Sequence, residues 1–320
     1  MVVNKSNWKH FYELHQNAHI LQSPAWGRLK SSFGWYAETV ITEDLGSQIL
    51  FRRLPLGFTI AYIPKGPVGN LVSLPSHINE LDQLCKKNRS VFLKIEPNFY
   101  ENDPDYPQNW EMLSNFGNPG KNIQPRRTML VSLSGDPEDW LNRMKQKTRY
   151  NIRLAGRKDV EVIQSTDLQT FQNLIETTGS RNDFGVHSIA YYRKAFNEFY
   201  PEGVRLFLAN YQEKPLAAIM VFFRGDYASY FYGASSNYER NRMPTYLLQF
   251  EAMKWAANQG CKYYDLWGIP DEDFDTLEDN FKNRSDGLWG VYRFKRGFGG
   301  DVKRTAQSID RIYYPLLYQL

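Results

Sequence analysis

The chain has 320 residues, long for one domain and comfortable for two, so two sizeable cores are expected. Apolar residues at 42% and charged residues at 23% are those of an ordinary soluble globular protein, and a net charge of +4 is too small to announce a nucleic-acid protein by itself. The longest apolar run, 216–223, is far below the roughly 20 residues of a membrane helix, and the first residues form no apolar signal core, so a cytoplasmic protein is expected. Cys85 and Cys261 lie far apart and show no metal-ligand spacing, which points to a reducing compartment, and no metal is expected.

Taken in chain order, Ser23-Pro24 supplies an N-cap and a proline at the first helical position, with Gly34 as the stop. Residues 36–42, 47–53 and 58–63 read as strands before the turn Pro64-Lys65-Gly66-Pro67. A helix over 75–87 precedes a strand at 91–96, closed by Pro97, and the Pro-, Gly- and Asn-rich stretch 98–126 reads as a surface loop. Asp136-Pro137-Glu138-Asp139 opens what reads as one helix running to Lys158. A strand at 160–164, helices at 168–178 and 188–199, and strands at 205–211, 217–224 and 227–233 follow. The helix 244–259, closed by Gly260, sets Leu248, Ala252, Trp255 and Ala256 on one face, and 262–267 is a further strand. The class is therefore α/β, with a mixed sheet flanked by helices in each half and a ligand cleft expected between the halves.

Three features carry chemistry. The unit strand 227–233, helix 244–259, strand 262–267 has the order found around the acyl-CoA loop of GNAT enzymes, R/Q-x-x-G-x-G/A. Here the loop reads Arg240-Asn241-Arg242-Met243-Pro244-Thr245, with the basic residues but no glycine, which argues against coenzyme A as donor. Lys145, Arg149, Arg153 and Arg157 recur at steps of four, broadened by Lys147 and Lys158, a ladder that suits a nucleic-acid phosphate backbone or a solvated helix face. Finally, Trp289 to Lys295 reads as an aromatic strand entering a glycine-rich turn, and Lys295 at its end could neutralise an acyl-transfer oxyanion.

In order and spacing the chain resembles the FemABX family of peptidoglycan-bridge aminoacyltransferases. The resemblance rests on Leu21-Gln22-Ser23-Pro24-Ala25-Trp26-Gly27-Arg28-Leu29-Lys30, Pro64-Lys65-Gly66-Pro67 and Lys147-Thr148-Arg149-Tyr150-Asn151-Ile152-Arg153-Leu154-Ala155. It continues through His187-Ser188 with Tyr191-Tyr192, Tyr232-Gly233-Ala234-Ser235, Tyr264-Asp265-Leu266-Trp267-Gly268-Ile269 and Tyr292-Arg293-Phe294-Lys295. It implies two GNAT-like domains, the first being 1–135 completed by 305–320 and the second 136–304. The donor it implies is aminoacyl-tRNA, and the acceptor the stem-peptide amine of UDP-MurNAc-peptide or lipid II, with no cofactor and with contact at the inner membrane face allowed. By this resemblance Lys30, Tyr192 and Tyr232 meet the acceptor's phosphates, while Phe294 and Lys295 lie by the tRNA acceptor end and the reacting ester. Where some members carry a Thr and an Arg, this chain has Val186-His187-Ser188, so His187 and Ser188 are the substrate-binding candidates there. Glu96 matches a strand-end carboxylate that would orient the amine.

These features imply direct attack of a neutral amine on an ester, since no Ser-His-Asp or Cys-His pattern is evident. An acyl-CoA-dependent N-acyltransferase on the same fold, and a non-catalytic tRNA- or precursor-binding protein, are the alternatives.

Overall fold

Helix α1 (Lys5–Leu14) opens the structure, a computed structural model that describes residues 5–182 and 185–319. Ser23 is extended and its Oγ accepts the Trp26 N–H at 3.1 Å, so α2 (Pro24–Ser31) starts where its capping chemistry dictates. Strands β1 (Trp35–Thr42), β2 (Leu45–Arg53), β3 (Thr59–Ile63) and β4 (Val68–Gly69) follow, then α3 (Leu74–Lys87) and β5 (Ser90–Ile95). Leu74, Ile78, Leu81 and Leu84 recur at helical spacing on α3 and pack with Ile49, Phe51, Ile63 and Leu93 in the first core.

The stretch expected to be loop contains helix α4 (Tyr106–Ser114) and the short strand β6 (Asn118–Pro119). Leu113 is fully buried and Trp110 packs on the first core, a burial that overrides the turn-like composition around them.

In the second unit β7 (Arg127–Ser132) precedes α5 (Pro137–Arg143), whose start carries a reciprocal capping box between Asp136 and Asp139. The single helix expected to reach Lys158 is two. Met144 and Lys145 are extended, Met144 is buried, and the Lys145 N–H bonds the Gly297 carbonyl at 2.9 Å, so α6 (Gln146–Arg157) starts afresh. The chain continues through β8 (Glu161–Ser165), α7 (Leu168–Asn182), α8 (Ile189–Phe199), β9 (Val204–Tyr211), β10 (Lys214–Arg224) and β11 (Tyr227–Ser235). Helix α9 (Pro244–Asn258) buries Leu248, Ala252 and Ala256 completely, as its periodicity requires. After β12 (Tyr263–Ile269) and α10 (Phe274–Asn280), the expected aromatic strand proves to be helix α11 (Trp289–Lys295). Trp289, Tyr292 and Lys295 are its buried positions, a spacing of three that the alternating aromatics disguise.

Strands β13 (Asp301–Arg304) and β14 (Ile309–Ile312) and helix α12 (Pro315–Tyr318) complete the chain. One mixed sheet runs β1-β2-β3-β5-β14-β6 with β4 beside β2, and the other β13-β7-β12-β11-β10-β9-β8. β3 and β5 pair in parallel in the first sheet, and β11 and β12 in the second. The compact units are Met1–Arg126 with Lys303–Leu320, and Arg127–Val302. The division falls at Arg127 rather than 136 because β7 pairs with β12, and the return falls at Lys303 rather than 305.

Candidate active site

In the second unit the decisive local event is the parting of two parallel strands. β11 and β12 pair only over Tyr227–Tyr263, Ala228–Tyr264 and Ser229–Asp265. Beyond that point each is irregular: β11 shifts register against β10 at Met220/Val221, β12 shifts against β7 between Asp265 and Gly268, and Trp267 has φ of 63°. Asp265, buried, accepts the Thr128 hydroxyl and, at 2.7 Å, the Trp267 N–H, which holds the kink.

Into this gap α11 sends Lys295. Its Nζ donates to the Gly268 carbonyl at 2.8 Å and the Trp267 carbonyl at 3.3 Å, and stands 5.8 Å from the Tyr230 ring centroid. The residue is 6% exposed. Burial pulls its pKa down to about 7, with the Asp265 carboxylate opposing that fall. The two carbonyls take two of an ammonium's three donors, which leaves a third for an oxygen that becomes negative. Phe294, next to it, is committed to an aromatic cluster with Tyr246 at 5.0 Å and Phe298 at 5.1 Å.

A second cluster gathers His187, Tyr191, Tyr192 and Tyr232. The His187 ring stacks on Tyr191 at 3.8 Å and the His187 backbone N–H donates to the Tyr192 hydroxyl at 3.3 Å, while the Tyr191 and Tyr232 hydroxyls lie 3.4 Å apart. Burial raises Tyr192 to about 12 and drives Tyr232 well above its ordinary value, so both are neutral phenols able to donate to a phosphate. Ser188 is the N-cap of α8, its Oγ accepting the Tyr191 N–H, so its observed partner is its own helix. Tyr191 was read only as part of its doublet with Tyr192, not as a binding residue, yet its ring and hydroxyl join the cluster.

In the first unit Lys30 lies 5.2 Å from the Trp26 ring centroid, and its pKa is lowered by burial and then by the charge of Arg52. Two cations sharing one neighbourhood make a ready anion site. Glu96 is only 1% exposed and accepts from the Tyr62 hydroxyl and the Ile123 and Gln124 N–H groups. Its observed partners pin the 120–126 segment rather than leave an oxygen for an incoming amine. Among the described residues no group of His, Cys, Asp and Glu could hold a metal ion.

The FemAB family matches residues 3–215 and 210–320. The chain belongs to the FemAB family. Among relatives of this FemAB chain, the lipid II:glycine glycyltransferase of Staphylococcus haemolyticus is 23% identical over 99% of this chain and 94% of its own length. That of Staphylococcus aureus is 25% identical, covering 97% and 92%. Of solved structures, FemX superposes with a TM-score of 0.85 at 23% identity over 100% of this chain and 98% of its own. L-PGS from Bacillus licheniformis has a TM-score of 0.61 at 13% identity over 98% and 94%. A tandem GNAT protein of the clavulanic acid pathway, at 0.54 and 10% identity over 97% and 98%, shares the GNAT-like fold.

The cation ladder of this FemAB chain is narrower than its spacing suggests. Arg149 turns back to donate to the carbonyls of Leu141, Asn142 and Met144, closing the end of α5. Lys145 sits before the first turn of α6, and Arg153 and Arg157 are exposed, the former 3.6 Å from Glu138 and the latter 5.9 Å from the Tyr150 ring. In the 240–245 loop, Arg242 lies 3.3 Å from the Tyr211 ring centroid and Met243 takes the left-handed conformation with φ of 57°.

Proposed function

We propose that this FemAB chain is an aminoacyltransferase that moves an amino acid from aminoacyl-tRNA to a stem-peptide amine of a peptidoglycan precursor, UDP-MurNAc-peptide or lipid II. The observation that carries this reading is Lys295, a buried amine held by two carbonyls where two parallel strands part. Relatives named lipid II:glycine glycyltransferase, aligned over nearly the whole chain, support the acceptor class.

The acceptor's neutral amine attacks the ester carbonyl, forming the C–N bond and a tetrahedral oxyanion. Collapse breaks the C–O bond to the ribose, and the proton lost by the amine ends on the departing hydroxyl. An ester is activated enough to need no covalent enzyme intermediate, so the protein's task is positioning and charge stabilisation. Protonated Lys295 stabilises the oxyanion through its third N–H. The phenols Tyr192 and Tyr232 are donors for the acceptor's phosphates, Lys30 with Arg52 offers an anion site in the first unit, and exposed Lys145, Lys147, Arg153 and Arg157 offer charge to tRNA.

The test is transfer of label from aminoacyl-tRNA to UDP-MurNAc-pentapeptide and to lipid II, with an RNase-treated control. Lys295→Ala should lower kcat by about 10²–10³ with little change in KM. Turnover with acetyl-CoA in place of tRNA, or undiminished turnover by Lys295→Ala, would sink this reading.

A further inference from the structure

One end of the first unit carries apolar side chains that serve no packing purpose. Leu56, at the tip of the turn between β2 and β3, is 85% exposed and held at φ of 60°, a left-handed conformation that a leucine adopts only at a cost. Leu316 on α12 is 82% exposed. The backbone bonds Thr59 N–H to Arg89 carbonyl and Tyr314 N–H to Val91 carbonyl, both at 3.1 Å, bring the two tips to the same end of the sheet. Between them Phe58 packs edge-on against Tyr314 at 5.1 Å, with the Arg89 guanidinium over the Phe58 ring at 4.4 Å.

The surroundings are basic. Arg52, Arg53, Lys86, Lys87 and Arg89 are exposed on the segments that form this end. The acid on α3 nearby, Asp82, has its carboxylate engaged by Arg311 at 2.5 Å and by the Tyr313 hydroxyl at 2.8 Å. Protruding leucines beside an aromatic and ringed by guanidinium and ammonium groups match the layers of a bilayer interface: acyl region, headgroup level and anionic surface.

We propose that this end of the first unit docks peripherally on an anionic lipid membrane, with Leu56 and Leu316 entering the interface and the cations meeting the headgroups. What the docking is for rests on the transferase reading. Arg52 belongs both to this end and to the Lys30 neighbourhood, so the docking end and the anion site share a cation.

Sedimentation of the whole protein with sucrose-loaded vesicles tests the docking with no donor or acceptor present. Wild type should sediment with equimolar phosphatidylglycerol–phosphatidylcholine vesicles, bind pure phosphatidylcholine at least about tenfold more weakly, and be released by salt. The double variant Leu56→Asp/Leu316→Asp should lose at least about tenfold in binding to anionic vesicles while keeping its melting temperature. Val72→Asp, exposed on the turn beyond β4 at the other end of the sheet, should bind like wild type. Transfer to lipid II in vesicles should fall in the double variant while transfer to the soluble UDP-linked acceptor stays unchanged. Absence of wild-type binding to anionic vesicles, or full binding by the double variant, overturns the docking surface. Loss of transfer in all proteins with vesicle binding intact would overturn the transferase reading alone.

Discussion

An amine that is 6% exposed must find partners, give up its proton, or do some of each, and Lys295 does some of each. Its folded pKa, about 7, lies below the ordinary 10.5 that it regains on unfolding. Between those values the unfolded chain binds a proton that the folded chain has released, so stability rises with pH across the window; below about 7 the cost of burying the charge is fully present. Lys295→Met removes this titration. The variant's melting temperature relative to wild type should therefore be highest near pH 6 and fall as pH approaches 10, and a difference that does not change with pH would show that Lys295 is not desolvated. A second prediction concerns Glu96, whose negative charge receives two backbone N–H groups and a phenol. Glu96→Gln turns one acceptor oxygen into a donor facing other donors, and should cost about 2–4 kcal/mol, read as a lower urea midpoint. Lys30, Tyr192 and Tyr232 were named through the family resemblance, and Lys295 also through its place at the end of an aromatic run before a glycine-rich turn. Tyr62 and Asp265 were not named as site residues: the parallel register of β3 and β5 brings Tyr62 to Glu96, and the irregular pairing of β12 with β7 sets Asp265 under Trp267.

At the scale of elements, local signals located starts better than continuity. Ser23 and Asp136 cap the helices that they were expected to cap. The break at Met144 was hidden because its cause is distant: the Gly297 carbonyl takes the Lys145 N–H, and Gly299, at φ of 75°, would place a Cβ 2.5 Å from the Arg143 carbonyl oxygen. The same break separates the ladder into two roles, which a paired experiment can read. Arg149→Met should destabilise the protein by about 1–2 kcal/mol, because it uncovers the α5 carbonyls. Neutralising Lys147, Arg153 and Arg157 together should leave the melting temperature unchanged and reduce the salt slope of tRNA binding by about 2–3. Equal tRNA binding at every salt concentration would make that face a solvated one. Helix α11 was misread for a related reason, since Tyr292 and Phe294 alternate like a strand while the core is met by Trp289, Tyr292 and Lys295.

On the scale of the molecule, the sequence made two α/β halves legible, because strand- and helix-period runs alternate through both. The return of the chain into the first sheet has no local signature; the family resemblance supplied it, and a buried ion pair accompanies the strand pairing there. β14 lies beside β5, and there Asp310, buried, bonds Lys94 at 2.5 Å and the Tyr318 hydroxyl at 2.7 Å. The two units have separate cores, and this pair belongs to the first. Asp310→Asn leaves the Lys94 ammonium buried without its counter-charge, a loss of roughly 3–5 kcal/mol. Calorimetry should therefore show one transition falling by on the order of 10 °C and the other unmoved, as expected of a unit of this size. Replacing both partners, Lys94→Met with Asp310→Leu, removes two desolvated charges at once and should recover most of the loss. If the double variant melts as low as Asp310→Asn, the pair's contribution is geometric rather than electrostatic, and if both transitions shift together the first unit does not unfold on its own.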